Sequence, residues 1–445
     1  IQNLPSPPAL PIIGHLQLLG SILPKSFQTL ARCYGPLIAN VAKEIYKIHN
    51  LNFAYRPKFG SSDYSIYKGS SFIMAPYGDY WHFMKKLCMT RLLAVPQLSH
   101  TIDIHEEQVE KLVERITKFL REGKPRDLRG ELTTLTNNVI CIMVMSTRCL
   151  RSENEAVEIL EISVGDVLGP LKILDFSRNN KRFVRVMEQF DRLLERIMKE
   201  HEAKVMNGGI TDQKNDLMDI LIETQRDPSA EVKISRQDIK SFLLDIFLVG
   251  TDTSSATMQW AMGELINKPQ ALNKLREEIN EVVKPNRLVK ESDIPNLPYL
   301  RVVIRETLRL HPLGPFIIRE CAKDCKVNGS FVKGKSCVLI NVGKSRVLIN
   351  VYAMMRDLEK LDEKISEHQM EFKGQNFRYI PFGSGRRGCP GASLALLVMH
   401  TTIAALVQRF DWKVKGRENV DLSLGSGFGA EMEKPLVCYP ITCLT

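Results

Sequence analysis

Residues 382–391 read FGSGRRGCPG and carry more information than any other stretch of this chain. They hold one cysteine, Cys389, in a glycine-rich loop with two arginines, and an apolar, helix-like run over 392–410 starts directly behind it. A helix N-terminus, free backbone N–H groups and nearby arginines all favour the deprotonated form of a thiol. We therefore expect the loop to present Cys389 as a thiolate, the form of cysteine that binds iron.

The other residues of this loop suit a flat, acidic cofactor. Gly385, Gly388 and Gly391 let the backbone pass close to a planar group, because glycine has no side chain in the way. Arg387 offers a guanidinium fork to a carboxylate at the edge of such a group. A buried cysteine in an ordinary turn is the alternative interpretation of the loop taken alone.

The loop matches the haem-binding signature of the cytochrome P450 family at Phe382, Gly385, Arg387, Cys389 and Gly391. The chain resembles this family over residues 5–439. The resemblance implies haem b as the cofactor, with Cys389 as the iron ligand and with Phe382, Arg387 and Gly391 among the residues that bind it. A thiolate ligand directs electron density toward O–O cleavage. The implied activity is that of a monooxygenase that uses O2 and electrons delivered from NADPH by a reductase.

The implied fold is mainly α with small β-sheets, in a single catalytic domain over 15–445 that follows a proline-rich hinge at 1–14. The 445 residues are 44% hydrophobic and contain no linker or charge block that would separate two cores. Apolar residues spaced three or four apart predict helices over 104–122, 183–198, 236–266, 270–283 and 298–310. Runs rich in β-branched residues predict short strands at 337–342, 346–351 and 436–441.

A second motif interrupts the apolar stretch 241–266 with the polar string Gly250-Thr-Asp-Thr-Ser254. Polar side chains inside an apolar helix are costly unless they are hydrogen-bonded or functional. We expect the helix to open locally at Gly250, and Asp252 and Thr253 to relay protons through water during oxygen activation. The alternative is that the hydroxyls bond to carbonyl groups of the same helix. The family motif begins with alanine, where Val249 stands in this chain.

The segment 298–312 contains Glu306 and Arg309, which lie three residues apart and so share one helix face. They match the family's Glu-x-x-Arg, which implies a buried structural ion pair. The family's third partner is an arginine in a Pro-Glu-Arg-Phe segment, and the stretch 356–372 that takes its place has no such segment.

Three further residues match family positions that contact the haem propionates: Trp81, Lys85 and Arg319. Lysine lacks the guanidinium fork, so Lys85 would hold a carboxylate less rigidly than an arginine. An ordinary core aromatic is the alternative interpretation of Trp81.

The formal net charge of +10 favours an acidic partner or a negatively charged membrane surface, although scattered solvated lysines would give the same total. Basic residues cluster at Lys85, Lys86 and Arg91, and the resemblance implies that an acidic reductase docks on the cysteine side. We expect no nucleic-acid partner. Among the ten cysteines there is no CxxC pair, and the nearest two, Cys321 and Cys325, lack two further zinc ligands nearby. Reduced, cytosol-facing thiols are the expectation.

No run of eighteen apolar residues occurs, and the chain opens with a polyproline-type stretch at 4–14. In microsomal members of the family, such a hinge follows an N-terminal membrane helix. The resemblance therefore implies an anchor that is absent from this chain, and a location on the cytosolic face of the endoplasmic reticulum membrane.

Two stretches fit less well. Residues 329–336 satisfy the phosphate-loop pattern GxxxxGK[ST], but a strand-like run follows them where a true phosphate loop leads into a helix. Residues 334–342 and 343–351 form a tandem repeat with one substitution, and the family's hairpin near 38–39 has no counterpart. An inactive haem-binding product of a damaged gene is therefore one alternative to an active enzyme.

The likeness is greatest to plant microsomal enzymes of the A type, near those acting on flavonoids and isoflavonoids. It is carried by tracts such as APYGDYW, ESDIPNLPYL and QNFRYIPFGSGRRGCPGASLA. Substrate contacts are expected from 59–75, 165–180, Phe247 with Val249, 313–318 and 424–430, whose apolar walls suit a flat phenolic or a terpenoid. Hydroxylation or desaturation of a flavonoid is the first hypothesis, and a terpenoid oxidase is the alternative. A haem-thiolate isomerase or dehydratase is less favoured, because Asp252 and Thr253 are both present.

Overall fold

The fold is described from a computed structural model that covers residues 22, 25–26, 42–56, 67, 70–147, 179–206, 216–284, 286–317, 319–327, 329–332, 334, 349–350, 379–416, 418–425 and 430–442. The hinge at 1–14, most of the tandem repeat, the region near 38–39 and the stretch 356–372 lie outside the described residues.

Helices dominate this part of the chain. The α-helices are α1 (Asp79–Leu87), α2 (Val95–Ser99), α3 (Ile102–Glu122), α4 (Leu128–Met145), α5 (Asn179–Met206), α6 (Leu217–Arg226), α7 (Arg236–Ile266), α8 (Pro269–Val282), α9 (Pro298–Leu310) and α10 (Ala392–Arg409). Short π-helical turns lie at Glu44–Ile48 and Cys88–Leu92, and 3₁₀ turns at Glu291–Asn296 and Gly385–Arg387.

The strands are short and all of the described pairs are antiparallel. They are β1 (Arg126–Asp127), β2 (Phe316–Ile317), β3 (Cys325–Val327), β4 (Ser330–Val332), β5 (Ile349–Asn350), β6 (Phe410–Val414) and β7 (Val437–Thr442). One sheet has the order β1-β7-β6, and β2 pairs with β5 and β3 with β4. In the three-stranded sheet Val414 lies opposite Cys438, which is also opposite Arg126.

These boundaries confirm the predicted mainly α fold with small sheets. The helices predicted over 236–266 and 298–310 begin and end at those residues, and the strand predicted at 436–441 is β7. Of the other two predicted strands, only residues 349–350 are described, and they form β5. The predicted stripe on α5 is buried at Met187, Phe190, Leu194, Ile197 and Met198.

Helix α7 lies at the centre of the described fold and packs against α4, α10, α9 and α8. It starts sharply, because Ser235 and Asp238 form a capping box in which each side chain accepts from the other's backbone N–H, at 3.1 and 2.8 Å. It is apolar nearly all round, as a helix surrounded by other helices must be. This central helix carries both Asp252 and Thr253.

Helix α10 is the one helix among the described residues that is long and apolar enough to cross a membrane by length and composition. Two thirds of it, 67%, is buried inside the molecule, against α7, α8, α3 and α9. Its hydrophobicity is therefore explained by core packing. It begins three residues after Cys389 and anchors the end of the cysteine loop.

Trp260 of α7 joins this core to the C-terminal segment. The indole is fully buried, donates from Nε1 to the carbonyl of Ala430 at 2.8 Å and stacks on His311 with ring centroids 3.8 Å apart. His311 in turn bonds to the Glu264 carboxylate at 2.7 Å. The Trp260 side chain thus connects the central helix both to the end of α9, at His311, and to the segment that precedes β7, at Ala430.

We predict that Trp260→Ala lowers the free energy of unfolding by about 3–5 kcal/mol, because it opens a large cavity. The control Trp260→Phe keeps most of the volume and should cost less, about 1–3 kcal/mol, for the unsatisfied Ala430 carbonyl. Urea denaturation followed by far-ultraviolet circular dichroism measures both. An alanine variant as stable as the wild type would contradict this role of Trp260.

Candidate active site

The backbone conformation of the cysteine loop requires a glycine at position 385. The Cys389 N–H donates to the Phe382 carbonyl at 2.9 Å, which folds the loop back on itself. Gly385 has φ +69°, and a Cβ added there would lie 3.0 Å from the carbonyl oxygen of Tyr46. A side chain at 385 is therefore excluded both by the backbone angle and by the segment packed on the loop.

The environment of the Cys389 thiol differs from the sequence expectation. Burial in the loop raises the pKa of this thiol, while the Gly391 N–H and the positive charge of Lys85 lower it. The arginines are not among the groups that lower it. The expected net shift toward the thiolate is thus wrong, because desolvation outweighs the two favourable groups. The residue nevertheless keeps accessible surface, so the sulfur can reach a ligand, and a metal deprotonates a thiol that it binds.

Arg387 is held by backbone carbonyls. Its Nε donates to the Ala54 carbonyl at 2.9 Å and its Nη2 to the Ala75 carbonyl at 2.5 Å. The guanidinium lies over the Trp81 ring at 4.5 Å. Burial and the charge of Arg319 together lower the pKa of Arg387 to about 10. Neutral carbonyls orient this cation without neutralising it.

Trp81 and Lys85 of α1 approach the same loop. Trp81 is buried and stacks on Phe72, with rings 8° from parallel, so the alternative of a core aromatic describes part of its role. The Lys85 Nζ donates to the Gly388 carbonyl at 2.9 Å, in the residue before the cysteine. Burial lowers the pKa of Lys85, and the charge of Arg387 lowers it further. Lys85 therefore contacts the cysteine loop directly, and Trp81 contacts it through the guanidinium of Arg387.

Arg319 completes a group of positive charges that are buried or half-buried. It is 4% exposed and lies over the Tyr46 ring at 5.8 Å. Sequence analysis missed Arg56, which lies close to Arg319. Burial is the main cause that lowers the pKa of Arg56, and the charges of Arg319 and Arg387 lower it further. No sequence signal identifies Arg56, because its neighbours come from distant parts of the chain.

This arrangement fits a planar, dianionic iron cofactor. Several cations are gathered within one partly buried region, where two carboxylates would offset their mutual repulsion. The accessible thiol of Cys389 lies in the loop that carries Arg387 and is bonded by Lys85. The residues that sequence analysis assigned to haem binding are thus brought together, with Arg56 and Tyr46 added to them.

Asp252 and Thr253 make contacts within and beside α7. The Thr253 hydroxyl donates to the Val249 carbonyl at 2.5 Å, and Asp252 pairs with Arg129, which also binds Glu431 at 2.7 Å. The back-bonding alternative is therefore present in the structure. The helix is continuous through Gly250, so the expected local opening is not seen. A Cβ at Gly250 would lie 3.0 Å from Ile140, which gives this glycine a packing role.

Glu306 and Arg309 form the predicted pair. Arg309 donates from Nε and Nη2 to the two oxygens of Glu306, at 2.8 and 2.6 Å. The Arg309 side chain is 11% exposed, but that of Glu306 is 44% exposed, so the pair is less buried than the resemblance implied. The stretch 356–372, in which the family places the third partner, lies outside the described residues.

Asp245 is a second residue that sequence analysis missed. It is buried on α7, two residues before Phe247, and accepts hydrogen bonds from the Ser71 hydroxyl at 3.0 Å and the Ile73 N–H at 3.1 Å. Burial raises the pKa of this carboxyl to about 7. The segment 71–73 belongs to the stretch 59–75 that was expected to contact substrate. Asp245 fixes that part of it to the central helix.

Comparisons with known proteins agree with this site. The family profile described as Cytochrome P450 matches residues 4–439. Similar curated proteins include, from Glycine max, Cytochrome P450 93A3 (38% identical, 98% of this chain and 92% of the relative) and 3,9-dihydroxypterocarpan 6A-monooxygenase (36%, 98% and 92%). Beta-amyrin 24-hydroxylase of Glycine max is 36% identical over 99% of this chain and 93% of its own.

A solved structure described as zebra fish cytochrome P450 with progesterone has a similar fold. Its TM-score is 0.77 with 22% sequence identity, over 94% of this chain and 99% of the other. The alignment with Cytochrome P450 93A3 spans 478 positions, more than the 445 residues of this chain, so that relative has internal residues without a counterpart here.

The buried carboxyl of Asp245 predicts a pH dependence of stability. Its pKa in the folded chain is about 7, above the ordinary value of 3.8, so the folded state retains a proton that the unfolded state has lost. Between these two values the wild type therefore loses stability as pH rises, by about 1.4 kcal/mol per pH unit. Asp245→Asn keeps the shape and removes this titration. The stability of the variant relative to the wild type should rise from about pH 4 to 7 and then level off. Parallel profiles by chemical denaturation would contradict the prediction.

Proposed function

Because the chain belongs to the cytochrome P450 family, we propose that it hydroxylates or desaturates a small apolar plant secondary metabolite, with a flavonoid as the first candidate. The enzyme class is that of a haem-thiolate monooxygenase, an oxidoreductase. Its cofactor is haem b, with electrons from NADPH through a reductase. The observation that supports the assignment best is the exposed Cys389 beside a group of buried and half-buried cations.

In this proposal Cys389 binds the haem iron. Two hydrogen bonds hold the cysteine in place. Its N–H donates to the Phe382 carbonyl, and its sulfur accepts from the Gly391 N–H. Hydrogen bonding to a thiolate disperses its charge and stabilises it. The haem would supply the activation of O2 when bound, and the protein would supply its position and the protons.

The propionates of the haem would be held by Arg387, Arg319, Lys85 and the indole N–H of Trp81. Arg387 is preoriented by the Ala54 and Ala75 carbonyls, so its fork loses little freedom on binding. Arg56 adds charge to the same group. The proposed catalytic domain spans residues 15–445. Within it, the ion pair of Glu306 and Arg309 would stabilise the region around α9.

Proton delivery is assigned to Asp252 and Thr253. In the described state the Thr253 proton points at the Val249 carbonyl. To pass that proton to a water, the O–H bond must turn away from the Val249 carbonyl by rotation about the Cβ–Oγ1 bond, which a hydroxyl permits. The Asp252 side chain is held by Arg129, which also binds Glu431. General acid catalysis of this kind contributes about 10²–10⁴-fold in rate.

The partners proposed are an NADPH-dependent reductase, O2, the apolar substrate and a membrane surface, with no role for nucleic acid. The proposed location is the cytosolic face of the endoplasmic reticulum membrane. The proposed docking surface is the basic stretch of Lys85, Lys86 and Arg91, in which Lys85 donates to the Gly388 carbonyl of the cysteine loop. Complementary charge on an acidic reductase would speed their association.

Two relatives bear on the substrate. The pterocarpan monooxygenase supports the flavonoid proposal, and the beta-amyrin hydroxylase supports a terpenoid as the second candidate. Incubation of the reconstituted enzyme with reductase, NADPH and matched panels of both classes separates them. A product that forms without O2 would instead support an isomerase or dehydratase, and no product with correctly bound haem would support an inactive protein.

We predict that Thr253→Ala keeps haem binding but lowers product formed per NADPH consumed about tenfold or more, because the relay loses its hydroxyl. The missing electrons should appear as hydrogen peroxide. Thr253→Ser keeps the hydroxyl and serves as the matched control, with coupling near that of the wild type. Coupled turnover measured by NADPH, peroxide and product decides the point. A fully coupled alanine variant would remove Thr253 from the relay.

A further inference from the structure

Two thiols lie side by side on the segment that follows Arg319. The Sγ atoms of Cys321 and Cys325 are 3.7 Å apart. A disulfide has an S–S distance of about 2.0 Å, so a small side-chain movement would join them. We propose that Cys321 and Cys325 are an oxidation site at which hydrogen peroxide forms a reversible intramolecular disulfide.

The backbone holds the two cysteines in this position. The Asn52 side chain bonds to both backbone polar groups of Lys323. It accepts from the Lys323 N–H at 2.7 Å and donates to the Lys323 carbonyl at 2.8 Å. Its amide also lies 3.3 Å from the Cys321 sulfur. Farther along, Cys325 is fixed in β3, opposite Val332 of β4. The turn between the thiols is therefore clamped at both ends, and little freedom is left to lose on closure.

The two thiols differ in their access to solvent. Cys321 is fully buried, whereas Cys325 is partly exposed. Burial raises the pKa of Cys321 to about 12, and the hydrogen bond with Cys325 adds to that rise. Cys325 is thus the sulfur that a small oxidant reaches first, and Cys321 is the resolving partner.

The chemistry balances with peroxide as the oxidant. The Cys325 sulfur attacks one peroxide oxygen, so that an S–O bond forms, the O–O bond breaks and one water leaves, giving a sulfenic acid. The Cys321 sulfur then attacks the Cys325 sulfur. The S–S bond forms, the S–O bond breaks, and the hydroxide leaves with the Cys321 proton as a second water. Two thiols are oxidised by two electrons, and a reducing thiol reverses the reaction.

The location links this site to haem binding. Arg319, in the cation group, lies two residues before Cys321. Between them, the backbone N–H of Glu320 donates to the carbonyl of Tyr55, the residue before Arg56, at 2.9 Å. A disulfide would close a ring next to the segment that positions both arginines.

The test uses the haem-loaded protein treated with hydrogen peroxide, alkylated and digested with trypsin. Trypsin cuts after Lys323, so the cysteines fall on peptides 320–323 and 324–326, which only a disulfide keeps joined. The joined pair should appear in the wild type and in the control Cys438→Ser, disappear on reduction, and be absent from Cys325→Ser. Separate peptides in the wild type, or Cys325 joined to another cysteine, would overturn the proposal.

Asn52→Ala tests the clamp separately from the thiols. Loss of its hydrogen bonds should slow formation of the joined peptides roughly tenfold at equal peroxide. A rate equal to that of the wild type would overturn the role of Asn52. Because peroxide is added directly, neither result depends on the monooxygenase having found its substrate.

Discussion

Concentrating positive charge beside one cysteine loop is the physical constraint on which the rest of this structure depends. Arg387, Arg319, Arg56 and Lys85 lower one another's pKa or have it lowered by burial. Like charges out of water are costly unless other groups compensate. The fold meets that cost in part with backbone carbonyls of 54, 73, 75 and 388, aimed at the cations. In the proposed function, an anionic haem would add to this compensation and would couple cofactor binding to the stability of this region.

The scaffold explains how these carbonyls come together. The cations and their acceptors come from four segments that lie far apart in the sequence: 54–56, 71–85, 319 and 385–389. Helices α7 and α10 pack against each other at the centre of the described residues. Asp245 ties 71–73 to α7, and Tyr379 bonds to the Arg305 carbonyl on α9 at 3.1 Å. Loop positions are thereby fixed by rigid helices rather than by the loops themselves.

Much of this could be predicted from sequence. The apolar spacing predicts the bounds of α7 and α9 correctly, because the pattern of a long, buried helix is carried by residues close together in the sequence. The cysteine loop was recognisable because its glycines and arginine stand at fixed spacings. Trp81, Lys85 and Arg319 were assigned by resemblance, and the structure places them around that loop.

What could not be predicted depends on distance in the sequence and on solvent. The balance of burial against the Gly391 N–H and Lys85 decides the direction of the Cys389 pKa, and burial is not visible in a motif. Arg56 and Asp245 act through partners far along the chain. The half-exposed Glu306 shows likewise that a matched motif specifies a pair but not its environment.

The central claim is that the Cys389 thiolate ligates the haem, and the carbon monoxide difference spectrum of the reduced, haem-loaded protein tests it most directly. A thiolate ligand gives a strongly red-shifted band. The account predicts this band for the wild type and its loss in Cys389→Ser, with haem still bound. A wild-type spectrum without the shifted band, or a serine variant that retains it, would contradict the account.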